Sequence, residues 1–281
     1  MKINRILKKT FTVLAIISTA AIFLSCTKKS TEKTAMVTET QKPLIVAMEL
    51  AYPPFETKDS AGNPSGISVD FAKAFGESIG RDVTIINTQW DGLIPSLQTG
   101  KVDMIVSSMT ITEDRSKVVD FSTPYANSLL GILVNKDSGI TKAEDLNQKG
   151  KIIAVKTGST GFIFAKREMT NATIIALADE SACVTEVAQG KADGFFYDQL
   201  TIYRNWQAHK DTTAAVFVPF QDKEMWGVAV KKGNTELLNQ LNSFIPKFTN
   251  DGGFDTLSQK YLAEEKKAFD ELGFKWFFDL N

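Results

Sequence analysis

Two segments of this chain repeat one pattern, and the repeat limits the folds that the chain can adopt. In the first pair, a helical pattern leads through Gly-Lys-x-Asp into an apolar strand with a polar end. The two members are LQTGKVDMIVSS, from Leu97, and VAQGKADGFFYD, from Val187. In a second pair, an apolar strand leads into a polar loop. Its members are LIVAMELAYPPF, from Leu44, and IIAVKTGSTG, from Ile152. Because ligands of open α/β sheets bind beyond the carboxyl ends of strands, the repeat predicts two similar lobes whose strand ends face each other across a cleft.

Strand and helix patterns alternate within each half of the chain. This alternation predicts parallel, doubly wound sheets. The first series has strands at 44–48, 83–87 and 102–106 and helices at 70–79 and 93–99. The second has strands at 152–155, 173–177, 194–197 and 226–230 and helices at 162–169, 181–189, 236–248 and 254–272.

The N-terminus has the composition of an export signal. Four basic residues precede an apolar run at 11–24, which is too short to span a bilayer comfortably. Cys26 directly after this run resembles the processing site of bacterial lipoproteins and predicts a signal peptide over 1–25 with Cys26 lipidated. Phe23 stands where that site usually has leucine, so a plain cleavable signal or an uncleaved anchor stays open. Residues 26–42 are polar and predict a flexible tether.

The overall composition argues against several classes of function. The 281 residues carry 32 basic and 33 acidic side chains, a net charge of −1, and no basic patch, so we expect no nucleic-acid partner. The single histidine, His209, lies in a polar stretch and is expected to be exposed. With two cysteines and one histidine, we expect neither a metal site nor a cofactor. Cys183, in a helical pattern, is expected to be a small buried residue.

The stretch 106–115, VSSMTITEDR, carries the chemistry of anion capture. A strand runs out into hydroxyl groups, among them Ser108 and Thr110, and the stretch closes on Arg115. Hydroxyls and exposed backbone N–H groups can hold a carboxylate, and a guanidinium can bind it bidentately. From these residues alone, a polar turn with a solvated arginine stays open.

Further motifs stand in a definite order between residues 44 and 262. They are E-x-x-Y-P-P-F from Glu49, G-x-x-x-D from Gly66, W-D-G-L-I-P-x-L from Trp90, S-M-T-I-T-x-x-R from Ser108, F-S-x-P-Y from Phe121, V-K-x-G-S-T-G from Val155, and Asp198. The ordered set resembles the family-3 extracellular solute-binding proteins, the polar amino-acid receptors of bacterial ABC importers. The resemblance implies an α/β fold of two doubly wound α/β lobes joined by a two-strand hinge, the type II periplasmic-binding-protein flytrap. It places lobe 1 at 43–131 and 227–281, with a helical C-terminal tail, and lobe 2 at 132–226.

The resemblance also implies how a zwitterionic ligand is held. Arg115 would bind the carboxylate, with further donors from Ser108, Thr110 and the backbone N–H of Thr160. Asp198 would take the α-ammonium group. The alternative for Asp198 is a helix N-cap at the strand end.

Five more residues are candidates for the wall of the site. Tyr52 and Trp90 would pack the ligand's aliphatic stem, or belong to the ordinary core. Glu49 would hold a side-chain amide or cation, or only a neighbouring backbone group. Lys156 would favour an amide or a carboxylate over a second cation, or be a solvated surface lysine. Tyr197 would add a polar contact.

We therefore expect a ligand-binding receptor, not an enzyme, that captures a free L-amino acid, with glutamine-like ligands favoured, and delivers it to an ABC permease. Alternatives are a basic amino-acid receptor of the same family and an exported enzyme, such as a dehydratase, on the same scaffold. We expect an exported monomer, lipid-anchored on the periplasmic or extracellular face of the membrane. The aromatic C-terminal tail from Phe274 would pack on lobe 1 or form a subunit contact.

Overall fold

The computed structural model describes residues 42–280. The signal peptide at 1–25, Cys26 and most of the tether lie outside the described residues, so these predictions stay predictions. Among residues 42–280, no helix is both long enough and apolar enough to cross a bilayer.

Two open five-stranded sheets organise this part of the chain. The strands are β1 (Leu44–Met48), β2 (Thr57–Lys58), β3 (Pro64–Ser65), β4 (Val83–Asn87), β5 (Met104–Ile105), β6 (Val119–Phe121), β7 (Ala126–Ser128), β8 (Leu130–Asn135), β9 (Ile152–Lys156), β10 (Thr173–Leu177), β11 (Gly194–Asp198), β12 (Thr213–Val216), β13 (Glu224–Trp226) and β14 (Ala229–Lys231). The α-helices are α1 (Ile67–Ser78), α2 (Trp90–Gln98), α3 (Glu113–Val118), α4 (Thr160–Glu168), α5 (Glu180–Ala188), α6 (Gln199–Ala208), α7 (Thr235–Asn250), α8 (Gly253–Tyr261) and α9 (Ala263–Leu272).

Lobe 1 is the part built on the first sheet, in the order β4-β1-β5-β14-β6. Strands β4, β1 and β5 run parallel, and β14 is antiparallel to both of its neighbours. Phe71 and Phe75 of α1 pack on one face of β1, and Leu93 and Leu97 of α2 pack on the other. Covered on both faces, β1 must be apolar throughout, as its sequence is.

Lobe 2 is built on the second sheet, in the order β10-β9-β11-β8-β12. Strands β10, β9 and β11 run parallel, and β8 lies antiparallel between β11 and β12. Phe164 of α4 packs on one face, and Cys183 of α5 packs on the other. Cys183 is buried and His209 is exposed, as predicted. The two-lobe α/β fold is confirmed, but the antiparallel strands were not predicted.

A two-stranded antiparallel sheet of β7 and β13 lies where the chain passes between the lobes. The predicted strand at 226–230 is wrong in one respect, because it divides at Gly227 into β13 and β14. A Cβ atom at Gly227 would lie 2.9 Å from the side chain of Ile111, so a larger residue here would require that side chain to shift. The lobe boundaries at 131/132 and 226/227 stay predictions.

The C-terminal segment after α9 packs on lobe 1, which was one of the two alternatives. The ring of Phe277 is buried and lies 5.1 Å from that of Phe55. Asn127 of β7 donates hydrogen bonds from Nδ2 to the backbone carbonyls of Trp276, Phe277 and Asp279. The last residues of the chain therefore complete the core beside β13.

Candidate functional site

A cavity of about 50 Å³ lies between the lobes, at the carboxyl ends of their parallel strands. Every predicted site residue except Lys156 lines it. These residues are Glu49, Tyr52, Trp90, Ser108, Thr110 and Arg115 from lobe 1 and Thr160, Tyr197 and Asp198 from lobe 2. The repeat of two lobes with facing strand ends thus brings distant motifs together.

The guanidinium of Arg115 reaches across the cleft from α3. The Thr112 hydroxyl caps this helix by accepting a hydrogen bond from the backbone N–H of Arg115 at 3.2 Å. Nη1 donates to the Thr110 carbonyl at 2.6 Å, and Nη2 donates to the Gly158 carbonyl of lobe 2 at 3.0 Å. Burial lowers the pKa of Arg115 to about 10, with the charge of Glu224 opposing the shift. The group therefore stays positive at neutral pH, so the cavity has a fixed cation.

The two carboxylate oxygens of Asp198, at the end of β11, differ in their hydrogen bonds. Oδ1 caps α6 by accepting hydrogen bonds from the backbone N–H groups of Leu200 and Thr201, both at 3.0 Å. Oδ2 is buried and accepts no hydrogen bond of ordinary geometry among residues 42–280, although the Tyr52 hydroxyl lies near enough to lower the pKa of Asp198. Burial raises the pKa of Asp198, and the bonds to the helix oppose the rise. Burial also raises the pKa of Tyr52, and the negative charge of nearby Asp198 adds to the rise. Asp198 can therefore cap α6 and also offer an oxygen to a ligand in the cavity.

Glu49 and Lys156 form a buried ion pair across the cleft, from the ends of β1 and β9. Glu49 also accepts a hydrogen bond from the backbone N–H of Trp90 at 3.2 Å, and its own N–H donates to Ser107 Oγ at 3.0 Å. The Lys156 ammonium lies 5.5 Å from the Trp90 ring centroid. Lys156 is therefore not a solvated surface lysine, although Glu49 and not Lys156 lines the cavity.

The predicted hydroxyl donors bond to glutamates of the chain itself. Ser108, whose φ of 46° is uncommon outside glycine, donates to both carboxylate oxygens of Glu56, at 2.9 and 3.2 Å. The hydroxyls of Thr110 and Thr160 both donate to Oε2 of Glu224 at 2.9 Å. The backbone N–H of Thr160, in the first turn of α4, has no acceptor within that helix.

Aromatic rings from both lobes meet at the cavity. The rings of Tyr52 and Tyr197 lie edge to face, 6.1 Å apart. The guanidinium carbon of Arg115 lies 5.2 Å from the centroid of the Trp90 ring. Gly158 of lobe 2 approaches the same ring so closely that an added Cβ would lie 3.1 Å from Trp90 Nε1. A side chain at this position would therefore require Trp90 or lobe 2 to move by a few tenths of an ångström.

Three glutamates close to the site were not predicted. Burial raises the pKa of Glu56 to about 8, against hydrogen bonds from Ser68 and Ser108. Burial, followed by the charge of Asp198, raises the pKa of Glu180 to about 7. Burial also raises the pKa of Glu224. Glu56 directly follows the Y-P-P-F motif, which was a usable signal, but no motif marks Glu180 or Glu224.

Comparison with known proteins agrees with the geometry. The profile of the bacterial extracellular solute-binding proteins, family 3, matches residues 44–264. This chain belongs to that family. As a family-3 solute-binding protein, it shares the two-lobe fold with its solved relatives.

Two characterised relatives carry names that specify a ligand. The L-cystine-binding protein of Escherichia coli K12 is 30% identical over 224 residues, covering 79% of this chain and 83% of the relative. The ABC transporter glutamine-binding protein of Bacillus subtilis 168 is 32% identical over 209 residues, covering 73% of this chain and 76% of the relative. Among relatives of similar identity, the named ligand therefore differs.

Two solved structures show the same fold. An ancestral amino-acid-binding protein described as a precursor of cyclohexadienyl dehydratase is 37% identical, with a TM-score of 0.71, and covers 78% of this chain and 94% of its own. An ancestral arginine-binding protein bound to arginine is 34% identical, with a TM-score of 0.72, and covers 79% of this chain and 99% of its own. The scaffold is thus shared across different named ligands.

Proposed function

We propose that this protein is a receptor that captures one free L-amino acid and delivers it to an ABC permease. One observation carries the proposal: the cavity is lined both by the charged guanidinium of Arg115 and by a buried carboxylate, Asp198, with one unpartnered oxygen. An unpaired buried carboxylate oxygen is costly unless a donor binds it. A free amino acid supplies an ammonium for Asp198 and a carboxylate for Arg115.

The proposal accounts for contacts between the lobes. A ligand shifts a closing equilibrium only when it binds the closed form more tightly. Arg115 belongs to lobe 1 and Asp198 to lobe 2, so a ligand bound to both favours closure. Tyr52 and Trp90 would pack its stem, with Tyr197 beside them.

For the ligand side chain we propose a polar neutral group such as an amide. Glu49 lines the cavity as a hydrogen-bond acceptor, and Lys156, which does not line it, offsets the charge of Glu49 in a buried ion pair. The N–H groups of an amide could donate to Glu49. Neither charge of the pair is left over to attract a charged side chain.

A second candidate is a basic amino acid, and one observation favours it. Among the described residues, the side chains that line the cavity include three carboxyl groups, those of Glu49, Asp198 and Glu224, and one cation, Arg115. A ligand with a second positive charge would offset part of this surplus.

Measurement of thermal stability against the twenty amino acids tests the receptor and its ligand class. Bound ligand is first removed by unfolding and refolding, since ligand that binds the native state raises the melting temperature. A rise confined to glutamine and its near relatives supports the amide proposal, and a rise with arginine or lysine supports the second candidate. No rise with any amino acid would refute the receptor.

The ligand class has an independent test at Lys156. If the ligand is an amide, Lys156→Ala removes the cation that holds Glu49 in place and weakens binding. If the ligand is basic, the same change frees Glu49 and strengthens it. Titration calorimetry gives the direction, with Lys149→Ala, an exposed lysine of the same lobe, as the control.

We further propose that the protein binds its ligand without converting it, despite the solved relative described as a precursor of a dehydratase. Two acids that line the cavity already accept hydrogen bonds within the protein. Asp198 of lobe 2 accepts them from backbone N–H groups, and Glu224 of the crossing strand accepts them from hydroxyl groups. Proton NMR of the bound amino acid over a day should show no product.

For the export segment we propose cleavage before Cys26, lipidation of that cysteine, and action as a membrane-anchored monomer. The basic and apolar pattern of residues 1–25 supports the proposal. Labelling of cells with a palmitate analogue should mark the wild-type protein and not the Cys26→Ser variant. Label on both proteins would refute attachment at Cys26.

A further inference from the structure

Glu224 lies on β13, where the chain crosses between the lobes, and its carboxylate is bonded from three sides. Oε2 accepts hydrogen bonds at 2.9 Å from the hydroxyls of Thr110 in lobe 1 and Thr160 in lobe 2. Oε1 accepts one from Nε2 of Gln221 at 2.8 Å. A single side chain of the crossing strand thus connects both lobes.

The same carboxylate faces Arg115. The charge of Glu224 raises the pKa of Arg115, and that of Arg115 lowers the pKa of Glu224, each against a larger effect of burial. A guanidinium together with threonine hydroxyls is a donor set that suits a carboxylate. Glu224 therefore holds donors that the carboxylate of a free amino acid would use.

Space on the far side of Glu224 gives its side chain somewhere to move. Thr110, Thr160 and Glu224 line the site cavity and also a second pocket of about 620 Å³ at the outer cleft. The three residues form the partition between the two spaces. A rotation of Glu224 toward the outer pocket would release both hydroxyls and separate its charge from Arg115.

We propose that Glu224 is an internal competitor for the ligand's carboxylate: it holds the lobes together in unliganded protein and lowers affinity for α-carboxylates. This inference rests on the proposed function. An entering carboxylate either displaces Glu224 or stays beside it, and like charges placed together are strongly unfavourable. Glu224 therefore sets how much the receptor prefers an amino acid over the amine with the same side chain.

The Glu224→Gln variant tests the competition, because glutamine has the same shape and an acceptor oxygen but no charge. Titration calorimetry with the amino acid that gives the largest thermal shift should show binding at least about tenfold tighter than in wild type. The matching decarboxylated amine should gain no affinity. Unchanged or weaker binding of the amino acid would overturn the proposal.

The Asp222→Asn variant is the matched control. Asp222 is exposed and lies in the same segment, so the change removes the same charge without touching Thr110 or Thr160. Its affinity should equal that of wild type. Should Glu224→Gln fail to fold, Glu224→Ala replaces it, since alanine leaves no unpaired amide in the partition.

A ligand-free measurement separates this inference from the proposed function. Spin labels at the exposed sites Lys73→Cys in lobe 1 and Lys149→Cys in lobe 2, in a Cys26→Ser background, report the distance between lobes. In protein stripped of ligand, Glu224→Ala, which removes the acceptor of both threonine hydroxyls, should shift the distribution to longer distances, and Asp222→Asn should not. An unchanged distribution would overturn the role of Glu224 in closure. If no amino acid binds either protein, the proposed function fails and these distances alone decide the inference.

Discussion

At the scale of single residues, Asp198 shows how one side chain serves both fold and site. The oxygen that caps α6 fixes the carboxylate, and the other oxygen is left for a donor in the cavity. Fixing the acceptor before the ligand arrives lowers the ordering cost of binding. An N-cap residue at a strand end can thus hold in place the carboxylate that we propose for the ammonium group.

Asp198→Asn should weaken amino-acid binding at least about 30-fold, because removing one charge of a buried pair costs about 2–5 kcal/mol. Asparagine still caps α6, so the melting temperature of the unliganded protein should change little. The control is Asp179→Asn, since Asp179 is an exposed N-cap residue of the neighbouring helix α5. Equal dissociation constants for the wild type and Asp198→Asn by calorimetry would contradict the assigned role.

Glu56 predicts a pH dependence of stability. Its folded pKa of about 8 lies above the ordinary value of 4.5, so between these pH values the folded state binds the proton more tightly. The Glu56 contribution is therefore present below about pH 4.5 and lost as pH rises toward 8, by at most about 1.4 kcal/mol per pH unit.

The Glu56→Gln variant removes this contribution while keeping an acceptor for Ser68 and Ser108. Urea unfolding of both proteins from pH 5 to 8 should show a smaller decline of unfolding free energy in the variant. The difference between the two proteins removes the pH-dependent contributions of the other buried carboxyl groups, because both proteins share them. These groups are Glu180, Asp198 and Glu224. Parallel curves would show that Glu56 is ionised in the folded state.

At the scale of elements, α9 and the segment that follows it join both lobes. Phe277 packs against Phe55 of lobe 1 and against Trp226 of the crossing strand β13. Glu265 of α9 pairs with Arg204 of α6 at 3.1 Å, and that helix belongs to lobe 2. The C-terminal segment therefore influences both the stability of lobe 1 and the hinge side of the cleft.

Phe277→Ala should lower the free energy of unfolding by about 3–5 kcal/mol, the usual cost of truncating a buried phenylalanine. Leu272→Ala, at an exposed position of α9, should cost less than about 0.5 kcal/mol. Urea denaturation of both variants checks this. Similar midpoints for the two would mean that the segment leaves the core in solution.

The sequence predicts an element well when the pattern that marks it lies within the element itself. The parallel strands β1, β4, β9 and β10 are short runs composed mostly of apolar residues, so their positions were predicted to the residue or nearly so. The insertion of β14 between β5 and β6 joins segments far apart in the chain, and no local pattern records it. Glu224 was missed for the same reason, because its partners come from Thr110 and Thr160 in different lobes.

At the scale of the whole molecule, closure depends on how near lobe 2 can come to Trp90. The Gly158 carbonyl accepts a hydrogen bond from Arg115, and a Cβ atom added at Gly158 would lie 3.1 Å from Trp90 Nε1. Both contacts join the lobes. A side chain at Gly158 would therefore hold the cleft partly open.

Gly158→Ala should reduce affinity and increase the radius of gyration of ligand-saturated protein in solution X-ray scattering. Gly139→Ala is a matched control, since both glycines have φ of +70° but an added Cβ at Gly139 meets no atom within 4 Å. Both changes should cost about 1 kcal/mol of stability, because each forces alanine into the left-handed region. Equal affinities for the two variants would show that Gly158 does not limit closure.

The position of β14 in the first sheet bears on how the chain is made. Lobe 2 uses strands from one continuous stretch, β8 to β12, and can assemble as soon as that stretch has left the ribosome. Lobe 1 needs β14 between β5 and β6 and Phe277 against Phe55, so its core stays incomplete until residue 277 has been added. Domains generally fold as units during synthesis. We therefore expect lobe 2 to fold before lobe 1, although the first strands of lobe 1 are made earlier.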